Sequence, residues 1–389
     1  MNRSFFAYPA IAASALALTG LPVAAIAQDG ATSAPSAVAA QGEFAKFAPR
    51  PDGKELKLDY EFLDDALSYM VMSMGVSTRH GAGRPAPGMG TRQVYGHDSR
   101  YRMEGNRVVF SFLEDEAIAP LTEYRQDLER LGTELDIATL PRNEQLAFWI
   151  NLHNVAVIEQ IGLNYPVKSP DKVLIGADRT PLDSAKFITV GGVTMSPRDI
   201  RTRIVYPNWS DPKVMYGFFR GDIGGPSIQR RAYKGDEIGL ALKLNATEFV
   251  NSLRGVENWG KTLLVSLIYE EAAPFYFRDL EPDLRAHLAK HAEEDVAAIL
   301  AKTDKMKYND YAIDIADLAA GDREPTYNMI ENAMNGQVQS SRVPFSIARL
   351  LQERQQKYEI LREEGRLGRV IVLPMPGTEA AEEATGEVE

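Results

Sequence analysis

The stretch from Arg142 to Asn164, RNEQLAFWINLHNVAVIEQIGLN, carries apolar residues on every side of a helical wheel. A helix that is apolar all round lies in a protein core. Three polar residues, Asn151, His153 and Asn154, interrupt this one. A buried imidazole or amide without a partner costs about 1–3 kcal/mol, so these side chains need hydrogen bonds inside the protein. The pattern therefore predicts a buried helix with a hydrogen-bonded His153.

Other segments show both helical and strand periods. Two glycines, Gly191-Gly192, separate residues 187–190 from 193–195 and predict a β-hairpin, and Glu104-Gly105-Asn106 predicts a second hairpin between residues 100–103 and 107–113. Ser196 followed by Pro197 and by an acid at position 199 predicts a helix N-cap. Further helices are expected over 59–74, 121–131, 245–253, 282–302 and 346–364, and strands over 214–219 and 262–265.

These elements mix hairpins and helices without a regular strand–helix–strand alternation. The expected fold class is therefore α+β. We expect a single mixed domain, with two β-hairpins around the buried helix and helical N- and C-terminal extensions.

The two ends of the chain differ in composition from the middle. Residues 1–27 have a short basic start, an apolar run and a small-residue site, and so predict a signal peptide cleaved after Ala27 and a periplasmic location. The alternative is an uncleaved anchor, but the apolar run is shorter than the roughly 20 residues that span a membrane. We expect a flexible leader over 28–43, a globular α+β domain over 44–370, and an acidic disordered tail over 371–389. No transmembrane segment is expected in the mature chain.

The charge and the cysteine count exclude several functions. The formal net charge is −11, which argues against general nucleic-acid binding. The chain has no cysteine, so it has no disulfide, no thiol nucleophile and no thiolate metal site. Between residues 79 and 107, however, six arginines face only two acids. This segment predicts an anion-binding surface, with Arg92, Arg100 and Arg102 as candidates and an anionic cell-envelope component as the possible partner.

Several motifs resemble a known family. AFWINLHN (147–154) is similar to the signature of the family called domain of unknown function 547, and KFITVGGVTMSPRDI (186–200) and the turn at 211–213 follow in the same order. So do Ala232-Tyr233, after a Gly-Pro pair, and the block at 266–269. The resemblance covers about residues 120–317. It implies no reaction, because the activity of the family is not established.

The chain departs from this family at positions where chemistry is suspected. Many members carry a histidine and two downstream cysteines, a set that suggests thiol chemistry. Here Met215 stands in place of the histidine, and Arg220 and Gly225 stand in place of the cysteines. His153 itself occupies a position that is usually aromatic in the family. We interpret it as a packed core histidine in preference to a replacement base.

Two functional hypotheses follow. The favoured one is an exported binding or scaffold protein that lacks the suspected reactive residues. The alternative is a cell-envelope hydrolase or transferase with a remodelled non-thiol site, because a carboxylate and a histidine can do acid–base work without a thiol. The candidate pocket residues are Asn151, His153, Asn154, Asp211 and Asp222. Whether His153, Asp211 and Asp222 lie together distinguishes the two.

Other motifs carry less weight. His287 and His291 share a helix face, but Leu288 stands where a zinc-protease helix has its glutamate. The glycine-rich stretch 221–227 matches neither a dinucleotide fingerprint nor a phosphate loop. Arg220 beside it is a further anion-binding candidate. We predict no metal and no cofactor.

Overall fold

A computed structural model describes residues 42–85, 94–323, 328–332, 338–342 and 344–366, with the backbone alone at 328–332 and 338–342. The predicted signal peptide, nearly all of the leader, the predicted tail and the candidate Arg92 lie outside the described residues.

Helices make up most of the regular structure. The α-helices in the described part are α1 (Glu61–Met70), α2 (Asp115–Glu134), α3 (Arg142–Leu163), α4 (Pro197–Asp199), α5 (Tyr206–Asn208), α6 (Ile238–Val250), α7 (Ile268–Tyr276), α8 (Leu280–Ala289), α9 (Glu294–Lys302) and α10 (Phe345–Glu363). A π-helix, Ile200–Val205, joins α4 to α5. Short 3₁₀-helices lie at Gly42–Phe47, Phe110–Phe112, Ile137–Thr139, Pro170–Lys172 and Pro212–Gly217. None of the helices in the described ranges is long and apolar enough to cross a membrane.

The strands are short and form small sheets. They are β1 (Val71–Met72), β2 (Arg107–Val108), β3 (Leu174–Ile175), β4 (Thr180–Pro181), β5 (Ile188–Val190), β6 (Val193–Met195), β7 (Val256–Trp259), β8 (Thr262–Val265), β9 (Lys305–Tyr308), β10 (Asn328–Asn332) and β11 (Val338–Arg342). Antiparallel pairs form between β1 and β2, β3 and β4, β5 and β6, and β10 and β11. The largest sheet has the order β7-β8-β9, with β8 and β9 parallel.

Helix α3 lies at the centre of the main hydrophobic core. Its side chains are buried on all sides, as its sequence predicts, and it packs against α2. The two helices approach closely where α3 has Gly162, because a Cβ there would collide with Ile118 of α2.

Several sequence predictions are confirmed. The fold is mixed α+β. The hairpin β5–β6 turns at Gly191 and Gly192, whose φ angles of +51° and +80° are accessible to glycine without strain. The capping box of α4 is present, since Ser196 Oγ accepts a hydrogen bond from the Asp199 N–H at 3.1 Å and Asp199 Oδ2 accepts one from the Ser196 N–H at 3.0 Å. Helices also occupy 121–131 and 346–363, and a strand occupies 262–265.

Other element predictions are wrong. Residues 100–103 form a turn, and Arg107–Val108 pairs with Val71–Met72, which also ends the first helix at Met70. The reason is Arg107, whose buried guanidinium donates hydrogen bonds to the carbonyls of Arg102 and Glu104 and so folds this segment around itself. The apolar run 214–219 lies largely in a 3₁₀-helix, because full burial removes the periodicity that tells a strand from a helix.

Helix boundaries shift at two further places. Instead of the helix predicted over 245–253, the structure has α6 at 238–250. The predicted helix over 282–302 is two helices, α8 and α9, separated by residues 290–293.

Candidate functional site

His153 is completely buried on α3. Arg201 Nη1 lies 3.0 Å from its Nε2, and because a guanidinium can only donate, this nitrogen must be the unprotonated acceptor. Nδ1 therefore carries the proton and donates to Asn154 Oδ1 at 3.0 Å. Burial and the charge of Arg201 lower the pKa of His153 to about 3. The prediction of a buried, hydrogen-bonded histidine is confirmed, and the ring is neutral at physiological pH.

Arg201 is the central residue of this region and lies in the π-helix with no exposed surface. Its Nη1 and Nη2 donate to Asp183 Oδ1 and Oδ2 at 2.8 and 3.0 Å, and its Nε and Nη2 donate to Glu271 Oε1 and Oε2 at 2.8 and 2.9 Å. With the bond to His153, all five N–H donors of the guanidinium have acceptors. Arg201 thus has no donor left for a ligand.

The carboxylates around Arg201 are held in their charged forms. Burial alone would raise the pKa of Asp183, but Arg201 and Arg220 hold it well below its usual range. Burial opposes ionisation of Glu271 as well, yet the charges of the same two arginines lower its pKa to about 2. Asp183 remains 39% exposed at its side chain, and Glu271 17%. The ion pairs therefore reach the surface at one edge.

Arg220 and Asp222 extend this region towards Tyr311. Arg220 Nη2 donates to Glu271 Oε1 at 2.7 Å. Asp222 Oδ1 accepts hydrogen bonds from the Gly225 N–H and the Tyr311 hydroxyl, both at 2.8 Å. Burial raises the pKa of Asp222 to about 6, against the opposing effects of Tyr311 and Arg220. We name as the charged cluster the residues His153, Asp183, Arg201, Arg220, Asp222, Glu271 and Tyr311.

The remaining pocket candidates have other partners. Asn151 accepts from the Tyr233 N–H at 2.9 Å and donates to the Tyr233 carbonyl at 2.8 Å. Asn154 donates to the Gly217 carbonyl at 2.9 Å and accepts from the Phe219 N–H at 3.0 Å. Both asparagines join α3 to neighbouring segments, and both are buried. Their hydrogen bonds are internal ones.

Asp211 lies apart from the charged cluster. Its carboxylate is 56% exposed, accepts from the Lys213 N–H at 3.0 Å and pairs with the Lys213 ammonium at 3.1 Å. This is the turn-capping bond expected for an aspartate before proline. The structure therefore brings His153 and Asp222 into one cluster and leaves Asp211 outside it.

The described cationic candidates are all paired with carboxylates. Arg100 forms two hydrogen bonds with Glu257, at 2.7 and 3.0 Å, and Arg102 forms two with Glu353, at 2.8 and 2.9 Å. Arg220 pairs with Glu271, as above. Paired guanidinium groups attract an anion less than free ones do, so these residues by themselves are weak anion ligands.

His287 is also an internal residue. It is 5% exposed, and its Nε2 lies 2.8 Å from the Tyr216 hydroxyl. Burial lowers its pKa to about 4. In the described ranges, no group of three or more His, Asp or Glu side chains is arranged to hold a metal ion.

Sequence reasoning missed Asp183, Arg201 and Glu271. The sequence does contain an indication that Arg201 is buried, because it stands between Ile200 and Ile204 in an apolar stretch, where an arginine must have internal partners. Its partners are 18 and 70 residues away along the chain and had no signal of their own.

Comparison with known protein families identifies part of the chain. Residues 137–250 match the family described as "Protein of unknown function, DUF547". These residues are a DUF547 domain. The match includes four of the five motifs on which the resemblance rests, and it also includes His153 and Arg201. It is narrower than the range of 120–317. No curated protein and no solved structure gives a significant match.

The DUF547 positions suspected of thiol chemistry are filled by residues with structural roles. Met215 lies in the hydrophobic core, with 1% of its surface exposed. Arg220 is bound to Glu271, and the Gly225 N–H is bound to Asp222. Each position therefore has packing or hydrogen-bonding partners of its own, although the buried Nε of Arg220 has no hydrogen-bond partner.

Proposed function

We propose that this DUF547-domain protein is an exported binding or scaffold protein in which the charged cluster stabilises the fold and performs no reaction. The observation that carries the proposal is the saturation of Arg201. A guanidinium with five internal acceptors cannot bind a substrate anion unless an existing bond breaks.

The state of His153 supports the same conclusion. A general base must reach the proton that it removes and must have a free lone pair. The only lone pair of neutral His153 accepts from Arg201, and the ring has no exposed surface. His153 is therefore suited to positioning Arg201 and unsuited to proton transfer with a substrate.

Export is the second part of the proposal, and it rests on the amino-terminal sequence. Intact-mass measurement of the protein recovered from the periplasm tests it. We expect a chain that begins at Gln28. A recovered chain that still begins at Met1 would contradict export by cleavage.

One observation favours a second candidate function, a cell-envelope hydrolase or transferase. Asp222 has a pKa of about 6 and hydrogen-bonds with the Tyr311 hydroxyl beside Arg220. A carboxyl group that titrates near neutrality can act as a general acid or base. If the protein is an enzyme, Asp222 is the residue on which its chemistry depends.

One experiment separates these functions. The full chain is incubated with purified cell-envelope polymers, co-sedimentation measures binding, and mass spectrometry measures soluble products. We expect retention on a polymer without product release, and the same for Asp222→Asn. The matched control is Asp211→Asn, since Asp211 lies outside the charged cluster. Product release that falls about 10²–10⁴-fold in folded Asp222→Asn, but not in Asp211→Asn, would establish the enzyme instead.

A further inference from the structure

A cleft of about 430 Å³ lies between α9 and the edge strand β7, and it shares no lining residue with the charged cluster. Helix α9 contributes Asp295, Ala298, Ile299 and Lys302, which lie on one helix face at intervals of three and four residues. The other side of the cleft is lined by Arg100 and by the loop residues Thr78, Arg79 and His80. The volume is in the range of sites that bind small molecules or single groups of a polymer.

The lining of this cleft carries more positive than negative charge. Arg100 and Glu257 neutralise each other in a bidentate pair. Arg79 donates to the backbone carbonyls of Asn251 and Val256, at 3.0 and 2.8 Å, so no carboxylate is bonded directly to its charge. Lys302 is exposed and forms no ion pair with a described residue. Asp295 is the other acid of the lining, and Glu104 outside the lining also acts on Arg79. The lining itself holds Arg79, Arg100 and Lys302 against Glu257 and Asp295, a surplus of one positive charge that favours an anion.

An exposed tryptophan lies on strand β7, whose Glu257 and Asn258 line the cleft. Trp259 ends β7 and is 80% exposed, whereas Trp149 and Trp209 are buried. It lies on the same strand face as Glu257 and two residues beyond it, which is about 7 Å along the strand. In the sheet register Trp259 pairs with Thr262, and Thr262 pairs with Lys305. A flat apolar ring is thus bordered by polar and cationic side chains.

We propose that this cleft binds an acidic glycan. Arg79 and Lys302 attract an acidic group of the glycan, and a sugar ring stacks on the indole of Trp259. The inference deepens the binding form of the proposed function, because it supplies the ligand class and the place. An anionic membrane is the less suitable partner, since membrane insertion needs a broad apolar face and the neighbours of Trp259 here are polar.

The test uses oligogalacturonate as the acidic probe and the full chain. Because Trp259 is the exposed one of three tryptophans, acrylamide quenching of tryptophan fluorescence reports on this site. We expect the probe to protect the fluorescence from acrylamide, and neutral dextran to have no effect. Trp259→Ala, followed by calorimetric titration, should weaken binding about tenfold, the size typical of losing an aromatic stacking partner.

Charge and position have their own controls. Lys302→Glu should also weaken binding about tenfold, whereas Lys243→Glu, an exposed lysine on α6, should leave the Kd unchanged. Tyr69→Ala removes a 79% exposed aromatic ring from α1 and should likewise have no effect. All four side chains are exposed, so circular dichroism should show each variant folded.

Three results would overturn the proposal. These are no binding of oligogalacturonate, equal binding by Trp259→Ala, or binding to phosphatidylglycerol vesicles alone that requires Trp259. If envelope co-sedimentation is unchanged in Trp259→Ala, the proposed binding function survives and the cleft assignment fails. If product release is found while the titrations behave as expected, the cleft assignment survives and the non-catalytic proposal fails.

Discussion

Replacing His153 by Ala is the most direct test of how the charged cluster stabilises the fold. The change removes the acceptor of one Arg201 N–H and the donor to Asn154, and it leaves a cavity beside Phe218, whose ring centroid lies 4.9 Å from that of His153. An unpaired buried donor on a charged group together with lost packing should cost about 2–4 kcal/mol at pH 7.

The stability cost of His153→Ala should depend on pH, and this dependence makes the test specific for a neutral, buried histidine. The pKa of His153 is about 3 in the folded protein against 6.5 for an unperturbed histidine. As the pH falls from 6.5 towards 3, His153 takes up a proton in the unfolded chain but not in the folded one, so the wild type loses stability over this range. Each pH unit within this window is worth about 1.4 kcal/mol. Between pH 7 and pH 4.5 the loss amounts to about 2.5 kcal/mol.

His153→Ala has no such proton to bind. The difference in free energy of unfolding between wild type and variant should therefore shrink by about 2.5 kcal/mol from pH 7 to pH 4.5, because groups that titrate equally in both proteins cancel. Urea denaturation followed by circular dichroism at the two pH values measures it. His80→Ala is the matched control, since His80 is exposed, and it should change the free energy by less than about 0.5 kcal/mol at either pH. A His153→Ala difference that stays constant or grows on acidification would refute the neutral, buried histidine.

The other predictions concern stability as well. Arg201→Lys keeps the charge but loses two of five donors and should cost about 2–4 kcal/mol in urea denaturation, whereas Arg198→Lys, at a side chain 57% exposed, should cost less than about 0.5 kcal/mol. Burial raises the pKa of Asp222 to about 6, so the protonated carboxyl stabilises the fold at low pH, and this stabilisation is lost as the pH rises from 3.8 through 6. The free energy of unfolding of Asp222→Asn should therefore rise by about 1–2 kcal/mol relative to that of the wild type between pH 4.5 and 7.5. Gly321→Ala, with φ +71° and a Cβ that collides with the Val167 carbonyl, should lower the melting temperature far more than Gly192→Ala, which has φ +80° and open space.

Features that depend on neighbouring residues could be predicted from the sequence. The buried helix α3, the glycine turn at 191–192 and the capping box at Ser196 each follow from spacing within one segment. The same local logic predicted that His153 is buried. These are short-range consequences of periodicity, backbone freedom and side-chain length.

Features that depend on distant contacts could not be predicted. Tyr311 reaches Asp222 across 89 residues, and Glu271 reaches Arg201 across 70. A single sequence contains no signal for such pairs, because any acid can pair with any arginine. The strand predicted over 214–219 failed for a related reason, since tertiary burial makes a segment apolar whatever its backbone conformation.

The geometry at Arg220 and Gly225 bears on the two positions where the resembled family carries cysteines. A Cβ at Gly225 would lie 3.5 Å from the Cβ of Arg220, within the separation found in disulfides. The two positions are therefore close enough for a crosslink, provided that Asp222 Oδ1 and the Tyr311 hydroxyl, each 3.0 Å from such a Cβ, can shift slightly. In this chain the positions hold the Arg220–Glu271 pair and the Gly225 N–H bond to Asp222.

The double variant Arg220→Cys/Gly225→Cys tests this argument. After mild oxidation it should contain no free thiol and remain a single chain without intermolecular crosslinks, because two cysteines at this spacing close a bond within one molecule. Each single variant should keep one thiol that reacts with Ellman's reagent once the protein is unfolded, which controls for oxidation by other routes. Circular dichroism checks that the double variant is folded. Two free thiols in a folded, oxidant-treated double variant would show that the positions are not crosslink-competent, and the thiol-chemistry interpretation of the family would gain support.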